Sequence, residues 1–344
     1  MCKFFNLLFK ILFVCAIFGE EVGAIDFNKI VKGTIYNIEK VVFRPISQIG
    51  IPINHHTTKF NFFTSESIHK PSTIDYYKPD ILTKCEGKIF FIIHGLLDGS
   101  NSPWIHNMIK ILLNKNDASC AVTIDWSLTT GTINYPFVVS QTDKFGVFVG
   151  EFINRMLTKY EVPEEKIALI GHSLGAQAVG VIAKTIKKMS GILLPFILGL
   201  DPAGPNFNVR PVSKRLNKED AEVVMIIHSD KGKFGISTEC GTIDFYPNGG
   251  NNQPGCSKIT KDTIVHTFGP LGCNHARSLD YIVEAVNNTG SFPARRCRSY
   301  SHYIRNKCDS NKLVYMGDLE TKERGSFYLI TNSESPFSIP EDDI

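Results

Sequence analysis

The sequence predicts an α/β protein, with a mostly parallel central sheet covered by helices on both faces. Short, wholly apolar segments of strand length alternate with longer amphipathic segments through the middle of the chain. Strands that are apolar along their whole length are buried on both faces, as in parallel sheets. The 344 residues are 43% hydrophobic and 21% charged, which is ordinary for a globular protein with a sizeable core. We expect one domain over residues 25–344.

The elements follow one another in a regular order along the chain. Strands are predicted at residues 88–93, 120–126, 166–170, 195–200 and 222–228. Helices are predicted at residues 102–113, 143–160 and 176–188, where apolar residues recur at spacings of three and four. Residues 25–84 show little periodicity and are predicted to be irregular. No internal repeat, low-complexity tract or long linker divides the chain.

The N-terminus predicts a secretory signal peptide over residues 1–24. Lys3 and Lys10 flank the start of an apolar stretch, and small residues at Val22 and Ala24 form a cleavage site. Lys10 interrupts the apolar run, and the clean part is shorter than the roughly 20 residues that a spanning helix needs. We expect cleavage after Ala24 and a secreted, extracellular protein, with a signal anchor as the alternative.

Composition limits the partners and cofactors. The formal net charge is only +3 and no dense basic run occurs, so we expect no nucleic-acid partner. Secretion makes disulfides the default for the cysteines beyond the signal peptide. Because their number is odd, one cysteine is either a free thiol or pairs between chains. No Cys or His cluster has zinc-ligand spacing, so no metal or other cofactor is expected.

Asn287 is the first residue of the sequon Asn-Asn-Thr and is a candidate glycosylation site.

The most informative segment has the pattern Gly-x-Ser-x-Gly, centred on Ser173. A predicted strand precedes it and a predicted helix follows it. A sharp strand-to-helix turn exposes a serine hydroxyl and holds it rigidly, and its crowded backbone requires small neighbours. These flanks favour a nucleophilic serine. The alternative is a glycine-rich connection in which Ser173 merely caps the helix.

An activated serine needs a histidine base and an acid, which here should follow it in the chain and lie at the carboxyl ends of strands. Asp201 directly follows the strand at 195–200 and is the candidate acid; the alternative is an Asp-Pro turn residue. Three histidines lie downstream: His228, His266 and His275. We favour His275 because the neighbouring cysteine would anchor its loop, with His228 a close second.

Two backbone N–H groups must also stabilise the oxyanion. One should belong to Leu174, the residue after the nucleophile. The other should come from the loop after an earlier strand, and Leu96 follows the predicted strand at residues 88–93. His94, in the same loop, is expected to be structural.

Taken together, these segments resemble the animal lipase family, which includes pancreatic, lipoprotein and hepatic lipases and the phospholipases A1. The resemblance covers roughly residues 85–335, and it implies an α/β-hydrolase fold with Ser173 as nucleophile, Asp201 as acid and His275 as base. It also implies oxyanion donors at Leu96 and Leu174, and it decides between the histidines. The matching segments include IIHGLL (92–97), IDW (124–126), IGHSLGA (170–176), GLDPAGPNF (199–207), IIHSD (226–230), GTIDFYPNGG (241–250), PGC (254–256), CNHARS (273–278) and RGSFYL (324–329).

The resemblance also implies a disulfide framework. The implied pairs are Cys256–Cys273, which would close the lid loop, Cys297–Cys308 and Cys85–Cys120, and they leave Cys240 unpaired. Calcium ligation, known in some members after the acid, is not expected here because residues 212–217 contain few carboxylates.

Two departures from the pancreatic branch bear on the substrate. The chain ends shortly after the catalytic region, so we expect no C-terminal β-sandwich domain and no colipase partner. The lid, residues 257–272, has few bulky apolar residues. It is shorter than the lids of the triglyceride lipases, intermediate in length but nearer the phospholipases A1. We expect a serine esterase acting at lipid surfaces, with phospholipase A1 preferred and triacylglycerol lipase as the alternative. A non-catalytic lipid-carrying protein of the yolk type is a remote alternative, because all three residues of the triad are present.

Overall fold

The computed structural model describes residues 50–115, 119–256 and 272–343. The expected signal peptide, the lid residues 257–271 and His266 lie outside these ranges.

One sheet of eleven strands forms the centre of the described structure. The strands are β1 (Lys59–Phe63), β2 (Ser72–Ile74), β3 (Ile89–Ile93), β4 (Cys120–Asp125), β5 (Ile167–His172), β6 (Leu194–Leu200), β7 (Ala221–Ile227), β8 (Ile243–Pro247), β9 (Pro293–Arg296), β10 (Leu313–Tyr315) and β11 (Gly325–Leu329). Their order across the sheet is β10-β9-β11-β8-β7-β6-β5-β3-β4-β1-β2. The strands from β11 to β4 in this order run parallel, and antiparallel strands extend both edges.

Helices cover both faces of the sheet. They are α1 (Pro103–Lys115), α2 (Ser127–Thr130), α3 (Tyr135–Lys159), α4 (Leu174–Ser190), α5 (Cys273–Asn287) and α6 (Tyr300–Tyr303). Alternate residues of β3 point to opposite faces: Ile89, Phe91 and Ile93 pack in the core with α3 and α4, whereas Phe90 and Ile92 pack with α1 and α5. A fully apolar strand is therefore required here, and the α/β prediction is confirmed.

Two parts of the sequence-based assignment were wrong in extent. The supposedly irregular region contains β1 and β2; β1 is short and pairs antiparallel with β4, far along the chain, so local periodicity did not reveal it. Helix α3 begins at Tyr135 rather than at residue 143. It does so because Asn134 caps it, accepting a hydrogen bond from the Phe137 N–H at 3.2 Å, and Pro136 lies in its first turn.

The cysteines of the described residues pair as Cys85–Cys120, Cys256–Cys273 and Cys297–Cys308. Cys240 is buried and carries a free thiol. Within the described ranges, none of the helices combines the length and the apolar character needed to cross a bilayer.

Candidate active site

Ser173 occupies a strained turn between β5 and α4. Its φ of 56° and ψ of −120° are unusual for a residue with a side chain. The Ser173 N–H donates to the Leu200 carbonyl at 3.0 Å, and the Ala203 N–H donates to the Ser173 carbonyl at 3.1 Å. The turn is thus tied to the end of β6. The Ser173 side chain makes no capping hydrogen bond to α4, which removes the helix-cap alternative.

The two glycines of the motif are required by backbone crowding. A Cβ on Gly171 would lie 2.4 Å from the Gly175 carbonyl oxygen, and a Cβ on Gly175 would lie 2.3 Å from the Ile93 carbonyl oxygen. Because these neighbours are backbone atoms, neither clash could be relieved by a side-chain movement. The two glycines of the motif are therefore required sterically at the turn between β5 and α4.

Asp201 lies at the carboxyl end of β6 and is completely buried. Its Oδ1 accepts hydrogen bonds from the N–H groups of Ser229 at 2.8 Å and Asp230 at 3.1 Å. Its Oδ2 accepts a hydrogen bond from Nδ1 of His275 at 2.6 Å. Asp201 is therefore more than a turn residue, because both carboxylate oxygens are used and one of them orients a histidine.

His275 lies in the first turn of α5, which begins at Cys273, and not in a loop as we expected. Its side chain is 6% exposed. Since Nδ1 donates its proton to Asp201, the neutral ring leaves Nε2 as the acceptor. This is the tautomer that a general base for a serine hydroxyl requires.

The neighbour of the serine joins the two halves of the site. The His172 ring lies 4.7 Å from the His275 ring, centroid to centroid, and its Nε2 donates to the His275 carbonyl at 3.4 Å. Within the described part of the chain, Ser173 Oγ itself is not hydrogen-bonded to His275. Such contacts commonly tighten only when substrate binds.

Burial shifts the pKa values of the candidate acid and the candidate base in opposite directions. It raises the pKa of Asp201, an effect that the two backbone N–H donors partly offset. It lowers the pKa of His275, an effect that the negative charge of Asp230 partly offsets. A lowered histidine pKa keeps the imidazole neutral at pH 7, and so able to accept a proton.

Asp230 is a residue of this site to which the sequence analysis assigned no role. It is 1% exposed. Its N–H donates a hydrogen bond to Asp201 Oδ1, and its Oδ2 accepts one from the Phe234 N–H at 3.3 Å. Its Oδ1 has no hydrogen-bond partner among the described residues. Burial, followed by the charge of Asp201, raises the pKa of Asp230 to about 6. Its sequence signals were its position after the end of β7 and its place in the matching segment IIHSD (226–230).

The two candidate oxyanion donors lie beside the serine turn. A Cβ on Gly95 would lie 2.9 Å from the Cβ of Ser173, so the loop carrying Leu96 packs directly on the turn. Leu97 donates its N–H to the Thr130 carbonyl at 3.1 Å. In contrast, the Leu96 and Leu174 N–H groups donate to no residue within the described ranges.

The other described histidines near the sheet edge have structural partners. His94 accepts a hydrogen bond at Nε2 from the Trp126 N–H at 3.2 Å, and its Nδ1 donates to the Gly95 carbonyl at 2.9 Å. His228 Nε2 donates to Asp244 Oδ1 at 2.7 Å. His228 therefore pairs with Asp244 and not with Asp201, so the close alternative to His275 is not paired with the candidate acid.

One cluster of side chains in the described ranges contains residue types that can bind a metal ion. His228, Cys240 and Asp244 are all buried, and one potential ligand atom of each lies within 4.8 Å of the others. The histidine and the carboxylate are already bonded to each other, and Asp244 Oδ1 also accepts a hydrogen bond from the Cys240 N–H at 3.2 Å. These contacts account for the cluster as a structural network.

Comparison with known proteins gives a consistent result. The family model described as Lipase matches residues 27–337. Phospholipase A1 of Vespula squamosa is 32% identical over 289 residues, covering 80% of this chain and 90% of the relative. Pancreatic triacylglycerol lipase of Oryctolagus cuniculus is 31% identical over 323 residues, covering 86% of this chain and 68% of the relative.

A human relative, inactive pancreatic lipase-related protein 1, is 32% identical over 312 residues, covering 82% of this chain and 64% of the relative. The chain spans 48–64% of the length of three mammalian relatives: this human protein, lipase member H of Rattus norvegicus and pancreatic triacylglycerol lipase of Cavia porcellus. Since one relative is named as inactive, similarity alone does not establish activity, and the site geometry has to carry that argument. The family itself is shown: with the model matching residues 27–337, the chain belongs to the Lipase family.

Proposed function

We propose that this protein hydrolyses carboxylic esters of lipids, with Ser173 as nucleophile, His275 as general base and Asp201 as the acid that orients it. The single observation that carries the proposal is the buried 2.6 Å hydrogen bond between His275 Nδ1 and Asp201 Oδ2, beside the strained serine turn. A His-Asp pair with only a structural role would explain the hydrogen bond. It would not explain why a strained serine turn and two unpaired N–H groups lie beside that bond.

The chemistry proceeds in two steps. His275 Nε2 takes the proton of Ser173 as Oγ attacks the ester carbonyl, and the N–H groups of Leu96 and Leu174 hold the resulting oxyanion. Asp201 stabilises the imidazolium. His275 then gives the proton to the departing alcohol, and a water molecule attacks the acyl-enzyme in the same way to release the fatty acid.

Replacing Ser173 with Ala tests the nucleophile. We expect hydrolysis to fall to background while secretion and the melting temperature stay close to wild type. An active-site-directed organophosphonate should label the wild-type protein stoichiometrically and leave Ser173→Ala unlabelled. Full activity in the variant, or no labelling of the folded wild type, would contradict the proposal, and the latter result would favour a non-catalytic lipid carrier.

We further propose phospholipase A1 activity, with triacylglycerol lipase activity as the alternative. The support is the short lid expected from the sequence, together with the 90% coverage of a wasp phospholipase A1. Phosphatidylcholine vesicles and trioleoylglycerol emulsions, assayed side by side without colipase, distinguish the two. We expect release of the sn-1 fatty acid from the phospholipid; activity confined to the triglyceride would contradict the preference.

Secretion is part of the same proposal. Its support is the N-terminal sequence pattern and the disulfides of the described chain, which are typical of oxidising compartments. Expression in a eukaryotic secretory host, followed by N-terminal sequencing of the protein in the medium, tests it. The mature chain should begin at Ile25, and retention of the whole protein in cell membranes would indicate the signal anchor instead.

A further inference from the structure

A small groove lies between α1 and α5, on the face of the sheet opposite α3 and α4. Its volume is about 260 Å³. The lining includes Asn107, Lys110, Ile111 and Asn114 of α1 and Val283 and Asn287 of α5. The groove meets α5 near its C-terminal end, whereas His275 is in the first turn. At 1.5 Å per residue along α5, His275 is about 12 Å from Val283 and about 18 Å from Asn287, so the groove is separate from the candidate active site.

The size and lining of the groove favour one compact polar ring. A volume of 260 Å³ is below the roughly 300 Å³ at which sites for drug-sized ligands begin, so a lipid chain or nucleotide would not be enclosed. Asn107 and Asn114 supply amide donors and acceptors at the rim. Ile111 and Val283, both half-buried, supply apolar surface between them. A pyranose ring has the same combination of polar edge and apolar face.

The lining residue Asn287 is also the acceptor of the sequon Asn287-Asn288-Thr289. Scanning the sequence finds no other Asn-x-Ser/Thr triplet without proline in the middle. The three residues of this triplet are exposed, at the point where α5 ends and the Asn288 N–H donates to the Glu284 carbonyl. A sugar on this side chain would therefore begin at the edge of the groove.

We propose that Asn287 carries an N-linked glycan whose first N-acetylglucosamine sits in this groove and bridges α1 to α5. In the transfer, Asn287 Nδ2 loses a proton and bonds to C1 of the sugar, and the lipid-linked diphosphate of the donor oligosaccharide leaves. Because the sugar is tethered, its contacts with the groove form intramolecularly, and weak hydrogen bonds are sufficient to keep it there. The bridge raises the melting temperature, because it joins α1 to α5 at a place away from the candidate active site. It requires passage through a glycosylating secretory pathway, but not that the protein be catalytic.

Enzymatic trimming of one protein preparation tests the bridge directly. The protein is secreted from cells that attach high-mannose glycans, and mass spectrometry of the peptide containing Asn287 establishes occupancy. Endoglycosidase H leaves a single N-acetylglucosamine, and peptide-N-glycosidase F removes the whole glycan and converts Asn287 to Asp. The unglycosylated Thr289→Val variant, which keeps the Asn287 amide, shows how much of any change in melting temperature comes from that new charge. We expect the single-sugar form to keep the melting temperature of the untrimmed protein, and the stripped form to melt about 2 °C lower. An unoccupied Asn287, or a single-sugar form that melts like the stripped one, would overturn the proposal.

A double-mutant cycle shows whether the sugar contacts the groove. Thr289→Val prevents glycosylation but keeps Asn287, and Asn114→Ala removes an amide from the rim. If the sugar contacts Asn114, then Asn114→Ala lowers the melting temperature more in the glycosylated protein than in Thr289→Val. His106→Ala, exposed on the same helix but outside the groove lining, is the control and should have the same effect in both backgrounds. Equal effects of Asn114→Ala in the two backgrounds would overturn the contact.

Discussion

Asp201 and Asp244 each hold a buried histidine through one short hydrogen bond, 2.6 Å to His275 and 2.7 Å to His228. The two pairs differ in what surrounds them. His275 lies against the serine turn through His172, whereas the ring of His228 stacks on Tyr246 with centroids 4.5 Å apart. We therefore propose that a similar local interaction serves chemistry in one place and only packing in the other.

This contrast gives a matched pair of variants. Asp201→Asn should lower kcat by about four orders of magnitude, because an amide no longer enforces the tautomer with Nε2 free. Asp244→Asn removes the same kind of hydrogen bond and should lower stability, while kcat per folded molecule stays within a few-fold of wild type. Turnover of a soluble short-chain ester, with melting curves to quantify the folded fraction, measures both. Equal losses of kcat in the two variants would contradict the assignment of the acid.

The charge of Asp230 acts on the same histidine. Activity requires neutral His275, so kcat/KM falls as the pH drops through the pKa of His275, which burial places below its usual value of about 6.5. The negative charge of Asp230 raises that pKa. Asp230→Asn should therefore move the acid limb of the kcat/KM profile to lower pH by at most about 0.3 unit, because Asp230, with its pKa raised to about 6, is mostly protonated at the pH near 4 where His275 titrates.

The control for this prediction is Asp280→Asn. Asp280 lies on the same helix as His275 and forms an ion pair with Arg277 at 3.0 Å. If Asp230 acts through its proximity to the imidazole, then removing the charge of Asp280 should leave the acid limb in place. A limb that moves to higher pH in Asp230→Asn, or that moves equally in both variants, would show that the charge of Asp230 does not act in this way.

At the scale of elements, the central strands could be read from the sequence and the later part of the sheet could not. Strands β3 to β7 are apolar enough to be recognised one at a time. Ser173 and Asp201 could be predicted as site residues because each directly follows the end of one of these strands. His275 was placed in a loop anchored by the neighbouring cysteine, whereas the structure puts it in the first turn of α5. The helix there is stabilised by the packing of Leu279 and Ile282 against the sheet, which local sequence does not reveal. Asp230 was missed because its hydrogen bond to Asp201 joins residues far apart in the chain.

The loop between β3 and α1 gives a prediction at this scale. Gly95→Ala would place a methyl group 2.9 Å from Ser173 Cβ and 3.1 Å from the His172 carbonyl oxygen. The loop must then shift away from the serine turn and take the Leu96 N–H out of position. We expect kcat to fall by about two orders of magnitude, comparable with loss of one oxyanion donor, with a small change in melting temperature.

Gly99→Ala, in the same loop, is the control. Its added methyl group would meet only Ser127 Cβ at 3.7 Å, an ordinary contact. Kinetics on the soluble ester for both variants would separate a local steric effect from general loosening of the loop. Similar kcat values for Gly95→Ala and wild type would contradict the position proposed for the oxyanion donor.

At the scale of the whole molecule, the candidate catalytic residues and the Cys85–Cys120 disulfide lie at opposite edges of the sheet. Ser173 and Asp201 lie at the carboxyl ends of parallel strands, whereas Cys120 is the first residue of β4, so the Cys85–Cys120 bond lies at the amino edge. A change at that edge can alter the free energy of unfolding without moving the reacting groups. Stability and catalysis should therefore be separable by mutation.

The separation can be measured with paired serine substitutions at the disulfides. Cys85 and Cys120 are 35 residues apart and Cys297 and Cys308 are 11 apart. Loop-closure entropy then assigns about 3.8 kcal/mol to the first bond and about 2.8 kcal/mol to the second. We expect the variant lacking Cys85–Cys120 to melt several degrees below wild type and below the variant lacking Cys297–Cys308, with kcat at 25 °C unchanged in both. Denaturation curves followed by activity measurements on the folded proteins test this. A large loss of kcat in the folded Cys85–Cys120 variant would show that the two edges of the sheet are coupled.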